Sequence, residues 1–380
     1  MSAPAEGYEQ RVTPLELFFD LVFVFAITRV TALMAHDLSW ASIGQGLLVL
    51  AALWWGWAAY AWLTNHVSGE DGRARVVVFV AMGAMVLVAL AVPESFDAHA
   101  LLFALAYLVM RTAHLALYWV SSLEDPDVHV AVAKLLPTAI TGPLILVAAA
   151  FTDGTLQAAL WIAALALDYG GPLATGVAGY RVHPAHFAER FSLIIIIALG
   201  ESIVAIGVGA GDEALDAALA VAAVLSLVTS AALWWAYFDV VATLAAQRLA
   251  ELQGAVRNTL ARDAFAYLHL PLIVGIELFA LGVEEVIGHV DEPLAAEAQA
   301  ALFGGVALYL LGHVAFKWRT TRSLGVQRLW AALLLLVFVP LGADLNALAA
   351  LAVVTAVSVA LIAYEVIRFR EARARVRVAA

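Results

Sequence analysis

The strongest constraint on this chain is a succession of about twelve apolar runs, each close to the 20 or so residues that a helix needs to cross a bilayer. They lie near 16–35, 41–64, 75–93, 98–121, 128–150, 155–176, 188–210, 215–240, 262–284, 296–317, 325–342 and 346–369. Gly, Pro, Asp and Asn collect between them, as in Asn65-His66-Val67-Ser68-Gly69 and Gly209-Ala210-Gly211-Asp212, so each run ends where turn chemistry begins. Most links are short, which makes sequential helices antiparallel. Composition agrees: 64% of the residues are hydrophobic and 13% charged, against about 25% charged in an average soluble domain. The expected fold class is therefore all-α integral membrane, with about twelve transmembrane helices and no room for a separate globular domain.

Several chemistries are excluded at once. Without cysteine there are no disulfides, thiolate nucleophiles, cysteine-ligated iron–sulfur clusters or covalently attached haem. Met1 to Thr13 carries Glu6, Glu9 and Arg11 instead of a basic leader, and no small-residue cleavage site follows the first run, which is expected to stay as a helix. No P-loop, nucleophile elbow or zinc-protease motif occurs. The bilayer is the expected partner; no cofactor and no nucleic acid is expected.

The net charge of -11 matters less than its distribution. Links after the odd-numbered runs contain no Lys or Arg and hold acids such as Asp37, Glu94, Asp153, Asp212, Glu284 and Asp344. The other side collects Arg11, Arg73, Arg75, Arg181, Arg248, Arg257, Lys317, Arg319 and Arg322, and then Arg368, Arg370, Arg373, Arg375 and Arg377. Positive residues are retained in the cytoplasm. Both termini and the links at 65–74, 177–187, 242–261 and 318–324 are thus expected there, with the acidic 121–127 link the exception in composition.

The chain also repeats itself. Ala51-Ala52-Leu53-Trp54-Trp55 recurs as Ala231-Ala232-Leu233-Trp234-Trp235, Glu16-Leu17-Phe18 matches Glu189-Arg190-Phe191, and His114 precedes Trp119 as His313 precedes Trp318. Six helices separate each pair, which predicts a parallel 6+6 internal repeat. The expected organisation is a cytoplasmic N-terminal segment 1–15, a first half 16–176, a cytoplasmic link 177–187, a second half 188–369 and a basic cytoplasmic tail 370–380.

Thr13-Pro14-Leu15-Glu16-Leu17-Phe18-Phe19-Asp20-Leu21-Val22-Phe23-Val24-Phe25-Ala26, together with Glu189-Arg190-Phe191 and Ala198-Leu199-Gly200-Glu201-Ser202-Ile203-Val204-Ala205-Ile206-Gly207, resembles the bacterial low temperature requirement A family. The Trp-rich second run fits as well. This resemblance covers roughly residues 10 to 370 and implies a bacterial multi-pass protein of the cytoplasmic membrane. It carries over no substrate, cofactor or catalytic residue.

Function must then come from charges inside the bilayer. Arg29, Arg111, Asp168, Glu201 and Glu277 lie deep within their runs, where each costs about 2.5–3.5 kcal/mol unless paired or hydrated. Arg190 and Glu201, eleven residues apart, share a helix face, as do Glu16 and Asp20, and His114 projects beside Arg111. Glu277 lies on the side of Glu284 and about 80° from His269. Asp20 and Arg29 fall on opposite faces, so Arg29 needs a partner elsewhere; Arg111 is the expected partner of Glu201, with Arg29 as the alternative. Three functional classes fit: a secondary transporter or permease for an ion or small polar solute, using Glu201, Arg111, Glu277, Asp168, Arg29, Arg190, His114 and His269; a sensor or scaffold in which the same charges clamp helices; or an enzyme acting on lipid, which the lack of a catalytic cluster disfavours. A metal at His183, His186 and Glu189 lacks a fourth ligand and meets Pro184 in the first turn. Glycines at Gly200, Gly207, Gly209 and Gly211, and Pro137 and Pro143 in the fifth run, read first as packing and kinks, second as unwinding beside a binding site.

Overall fold

The computed structural model describes residues 11–67, 72–211 and 215–379. Glu6, Glu9, Ser68, Gly69 and Asp212, the side chain of Arg377, and most of the 1–15 segment lie outside the described residues. Among the described residues eleven helices are long and apolar enough to cross a membrane, and a further apolar helix, Val326–Leu341, is shorter. No named strand occurs among them.

In chain order the helices are α1 Pro14–His36, α2 Trp40–Thr64, α3 Gly72–Ala91, α4 Ala100–Ser121, α5 Pro126–Ala149, α6 Gly154–Thr175, α7 Pro184–Ala210, α8 Ala217–Phe238, α9 Val241–Glu251, α10 Gly254–Leu260, α11 Leu270–Gly288, α12 Ala296–Thr321, α13 Val326–Leu341, α14 Ala347–Arg368 and α15 Arg370–Ala379. Their starts are written in the sequence. Asp216 and Asn346 cap α8 and α14 by accepting from Leu219 N at 2.8 Å and Ala349 N at 2.9 Å. Thr13 and Glu16 form a reciprocal capping box on α1: Thr13 N donates to Glu16 Oε2 at 2.8 Å, and Glu16 N to Thr13 Oγ1 at 3.4 Å.

Two boundaries differ from the sequence reading. The 242–261 link is helical, because Val241, Ala245 and Leu249 recur every four residues and are buried at 6%, 1% and 0% exposure. A π-helical turn, Ala261–Tyr267, then leads toward α11, which extends to Gly288 and so takes in Glu284 and Glu285. The basic tail likewise forms α15. Helices α5 and α7 run unbroken through Pro137, Pro143 and Gly200 to Gly209, which argues against unwinding there; a side chain on Gly209 would begin 2.5 Å from Glu284 O, the contact of a packing glycine, whereas Gly200 and Gly207 face open space.

The chain divides into two compact units. The first takes residues up to Ala26, then Ala52–Leu193 and Ala246–Phe265; the second takes Ile27–Ala51, Ile194–Ala245 and everything from Ala266 on. In the first, α3 packs on α4, α4 on α5 and α5 on α6. In the second, α11 and α12 pack most closely, since a side chain on Gly275 would begin 2.6 Å from Tyr309 N and one on Gly305 2.6 Å from Phe279 N. Small residues let helix backbones meet where no water-driven burial operates. Large apolar side chains such as Phe79, Leu90, Ile203, Val224 and Val337 remain exposed, as a lipid-facing surface requires.

Candidate functional site

In the first unit α1, α2 and α7 assemble a buried ion-pair network. Arg190 Nη1 lies 3.0 Å from Glu16 Oε1 and Arg190 Nη2 donates to Asp20 Oδ1 at 2.8 Å. Trp57 Nε1 donates to the same Asp20 oxygen at 2.8 Å, and its ring lies 5.6 Å under the guanidinium carbon. One turn of α1 separates the two acids, so a single arginine faces both.

The network continues through His186 and Asn65. Asn65 Oδ1 accepts from His183 N at 2.6 Å, which turns its amide nitrogen toward His186 Nδ1 at 2.9 Å. Nδ1 is then the acceptor, and Nε2–H faces Glu16 Oε1 at 3.0 Å. The network holds two carboxylates, Glu16 and Asp20, around one guanidinium. A cavity of about 20 Å3 adjoins Glu16 and Arg190, room for about one water. His186 thus belongs to this hydrogen-bonded network; among the described residues no three His, Cys, Asp or Glu side chains gather as metal ligands.

The same unit holds a second closed pair. Arg111 Nη2 donates to Asp168 Oδ1 at 2.9 Å, with both side chains 3% exposed. Gly142 makes room, because a methyl group there would sit 3.0 Å from the Asp168 carboxyl carbon. Arg111 is therefore the partner of Asp168 and not of Glu201. His114, one turn on, lies among Tyr60 and Tyr118 with ring centroids at 5.3 and 5.8 Å. Outside the helices, Arg181 Nε donates to Asp125 Oδ2 at 2.5 Å, which holds the Asp125 carboxyl below its ordinary range.

The second unit contains a different arrangement. Thr28 Oγ1 donates to Glu201 Oε2 at 2.7 Å, and Thr31 Oγ1, one turn further along α1, donates to Glu277 Oε2 at 3.2 Å. Glu201 is 3% exposed and Glu277 0%. Among the described residues neither carboxylate has an arginine, lysine or histidine within ion-pair distance, and Glu277 Oε1 has no hydrogen-bond partner. Arg29 lies between the two threonines in sequence, but its Nε finds no partner among the described residues. Ser202, beside Glu201, meets Ser230 of α8 at 2.7 Å.

His269 in this unit meets Tyr237 Oη at 2.9 Å. A buried pair not foreseen from the sequence joins α13 to α14: Arg328 Nε and Nη2 donate to the two oxygens of Glu365, both at 2.8 Å, while Nη1 lies 3.1 Å from His313 Nδ1. Arg328 and Glu365 stand near helix ends, where charge reads as solvated, so nothing in spacing alone selected them.

These helices and buried charges define a multi-pass α-helical membrane protein. Residues 11–363 match the profile described as Bacterial low temperature requirement A protein (LtrA), and the chain belongs to that family. It is similar to a Rhizobium meliloti (strain 1021) protein, Uncharacterized protein RA0937, with 29% identity over 341 residues that cover 85% of this chain and 83% of the relative.

Proposed function

We propose that this protein is a secondary transporter or permease of the bacterial cytoplasmic membrane that moves an ion or small polar solute, with Glu201 and Glu277 as the groups that take up and release the coupling proton or cation. The observation that carries this reading is the base-free pair of buried carboxylates held by hydroxyls of adjacent turns of α1. Two bare anions cannot persist together in an apolar interior; a proton or cation must accompany them. A clamp would use a fixed base, as Asp168 and Glu365 do.

The test is flux into proteoliposomes loaded with a pH-sensitive dye and energised by a potassium diffusion potential. Wild-type protein should carry flux above empty vesicles, and Glu201→Gln or Glu277→Gln should lower it at least tenfold with little change in melting temperature. Flux unchanged in both variants would remove these residues from any pathway. The rival reading, a scaffold or temperature sensor, draws its support from the closed pairs Arg190–Glu16–Asp20, Arg111–Asp168 and Arg328–Glu365, and predicts no flux in any variant.

The two-half organisation is proposed on the same footing. It gains support from a device present in each half: Tyr107 of α4 donates to the Ala52 carbonyl at 3.0 Å, and Tyr309 of α12 to the Leu233 carbonyl at 2.8 Å, both within the repeated Ala-Ala-Leu-Trp-Trp segment. A cytoplasmic location for both termini follows from the positive-inside rule. Single cysteines introduced into this cysteine-free chain test it: Ser323→Cys should resist an impermeant maleimide added outside intact cells, and labelling there would reverse the topology.

A further inference from the structure

A chamber of about 410 Å3 opens among the ends of α8, α9, α12, α13, α14 and α15, entirely within the second unit. Its charged walls are Lys317, Arg328, Glu365, Asp239 and Arg373. Four of these are matched. Arg328 makes the bidentate pair with Glu365 described above, and Arg373 forms an ion pair with Asp239. Lys317 is the remaining cation: it has no ion pair or hydrogen bond from its ammonium among the described residues. Its Nζ approaches Gly325, within 3.4 Å of where a side chain there would begin. Gly325 has φ +57° at the start of α13, so this position both favours glycine and leaves the ammonium its space. Three cations against two carboxylates leave one positive charge in the chamber.

The rest of the chamber is apolar, with Trp235, Val241, Leu244 and Phe369 on its walls. Two apolar grooves adjoin it. One, of about 690 Å3, shares Val326 and Gln327 with the chamber and runs between α13 and α14 past Trp330 and Leu334. The other, of about 460 Å3, shares Trp235 and runs between α8 and α14 past Val228 and Ala363. A monocationic chamber therefore stands at one end of α14, with an apolar groove on each flank of that helix.

We propose that this chamber and its grooves form a binding site for a diacyl anionic phospholipid, with the phosphodiester against Lys317 and the acyl chains on either side of α14. The charge balance selects a single anion, the two grooves select two hydrocarbon chains, and the nearby Arg319, Arg322, Arg370 and Arg375 add long-range attraction for an anionic leaflet. Arg328, committed to Glu365, shapes the floor; Lys317 is free to meet the phosphate. The site stands apart from Glu201 and Glu277 in its residues and does not depend on transport.

The test uses the full chain in detergent, with thermal unfolding followed after addition of dioleoyl phosphatidylglycerol, dioleoyl phosphatidylcholine or inorganic phosphate. Phosphatidylglycerol should raise the melting temperature by several degrees more than phosphatidylcholine. Lys317→Gln should remove that excess, Lys317→Arg should retain most of it, and Ala363→Trp, which fills one groove from an exposed position, should reduce it. If Lys317→Gln does not fold, the contrast between Lys317→Arg and Ala363→Trp decides. Equal shifts from both lipids, an unaltered response in Lys317→Gln and Ala363→Trp, or a full effect from inorganic phosphate alone would each overturn the lipid site.

Discussion

Both units close buried carboxylates with a guanidinium, as Arg328 does with Glu365 in the second, but among the described residues only the second unit also buries a pair of carboxylates without a base. In the first, Glu16, Asp20 and Asp168 each meet a guanidinium at 3.0 Å or less. In the second, Glu201 and Glu277 meet only threonine hydroxyls. The repeated Trp pair differs in parallel: Trp54 and Trp55 are 0% and 8% exposed, Trp234 and Trp235 42% and 39%. The two copies of the Ala-Ala-Leu-Trp-Trp segment thus stand in different surroundings, one buried and one with both tryptophans exposed. Fixed pairs resist any change of charge, because losing either partner strands the other in low dielectric. Hydroxyl-held carboxylates can gain or lose a proton without stranding a neighbour, which supports the proposed role of Glu201 and Glu277.

The largest expected effect breaks the first unit. Arg190→Met leaves Glu16 and Asp20 buried without a guanidinium and should destabilise the protein by about 3–5 kcal/mol, read from melting in detergent. Adding Glu16→Gln and Asp20→Asn to that variant should recover part of the loss; no recovery would mean that the arginine acts through packing on Trp57. Arg111→Leu should lose a similar or slightly smaller amount, about 3 kcal/mol, whereas the double change Arg111→Leu with Asp168→Leu should return close to wild type. A double variant as unstable as the single one would show that the pair is not a self-contained clamp.

Smaller effects sharpen the contrast from the other side. Glu277→Gln should change stability by no more than about 1 kcal/mol, since its partner Thr31 can still donate to an amide oxygen. A loss above about 3 kcal/mol, the range of a broken buried pair, would make Glu277 a clamp as well. Tyr107→Phe and Tyr309→Phe should each remove about 1 kcal/mol, and near-equal values would agree with equivalent positions in a repeat.

The mildest test is pH. Burial pushes His66, in the link after α2, below its ordinary value. The unfolded chain then takes up a proton near pH 6.5 that the folded chain resists. Its contribution to stability is complete above that pH and is lost as pH falls toward the lower folded value. His66→Asn should flatten the acid limb of a melting-temperature profile measured between pH 7 and 5; an identical slope would place the effect in other groups.

Much of the fold was legible because a spanning helix must satisfy every backbone group within itself, so length and apolarity of a run suffice to locate it. That is why the runs ending near Ala149, Thr175 and Arg368 could be placed within a few residues. The amphipathic α9 was missed because its apolar stripe is one residue in four, and the capping box at Thr13 and Glu16 hid the second role of Glu16 as an ion-pair partner. Sequence also determined which residues carry an unavoidable cost in the bilayer: Arg29, Arg111, Asp168, Glu201 and Glu277. It did not determine their partners. Helical phase places side chains around one axis, but which helices face one another, and at what height, depends on close packing such as that of Gly142 beside Asp168 and Gly275 beside Tyr309. Arg111 met Asp168, Arg190 met two acids of α1, and Glu201 met a threonine, because tertiary packing alone brings atoms from distant stretches of chain within hydrogen-bonding distance.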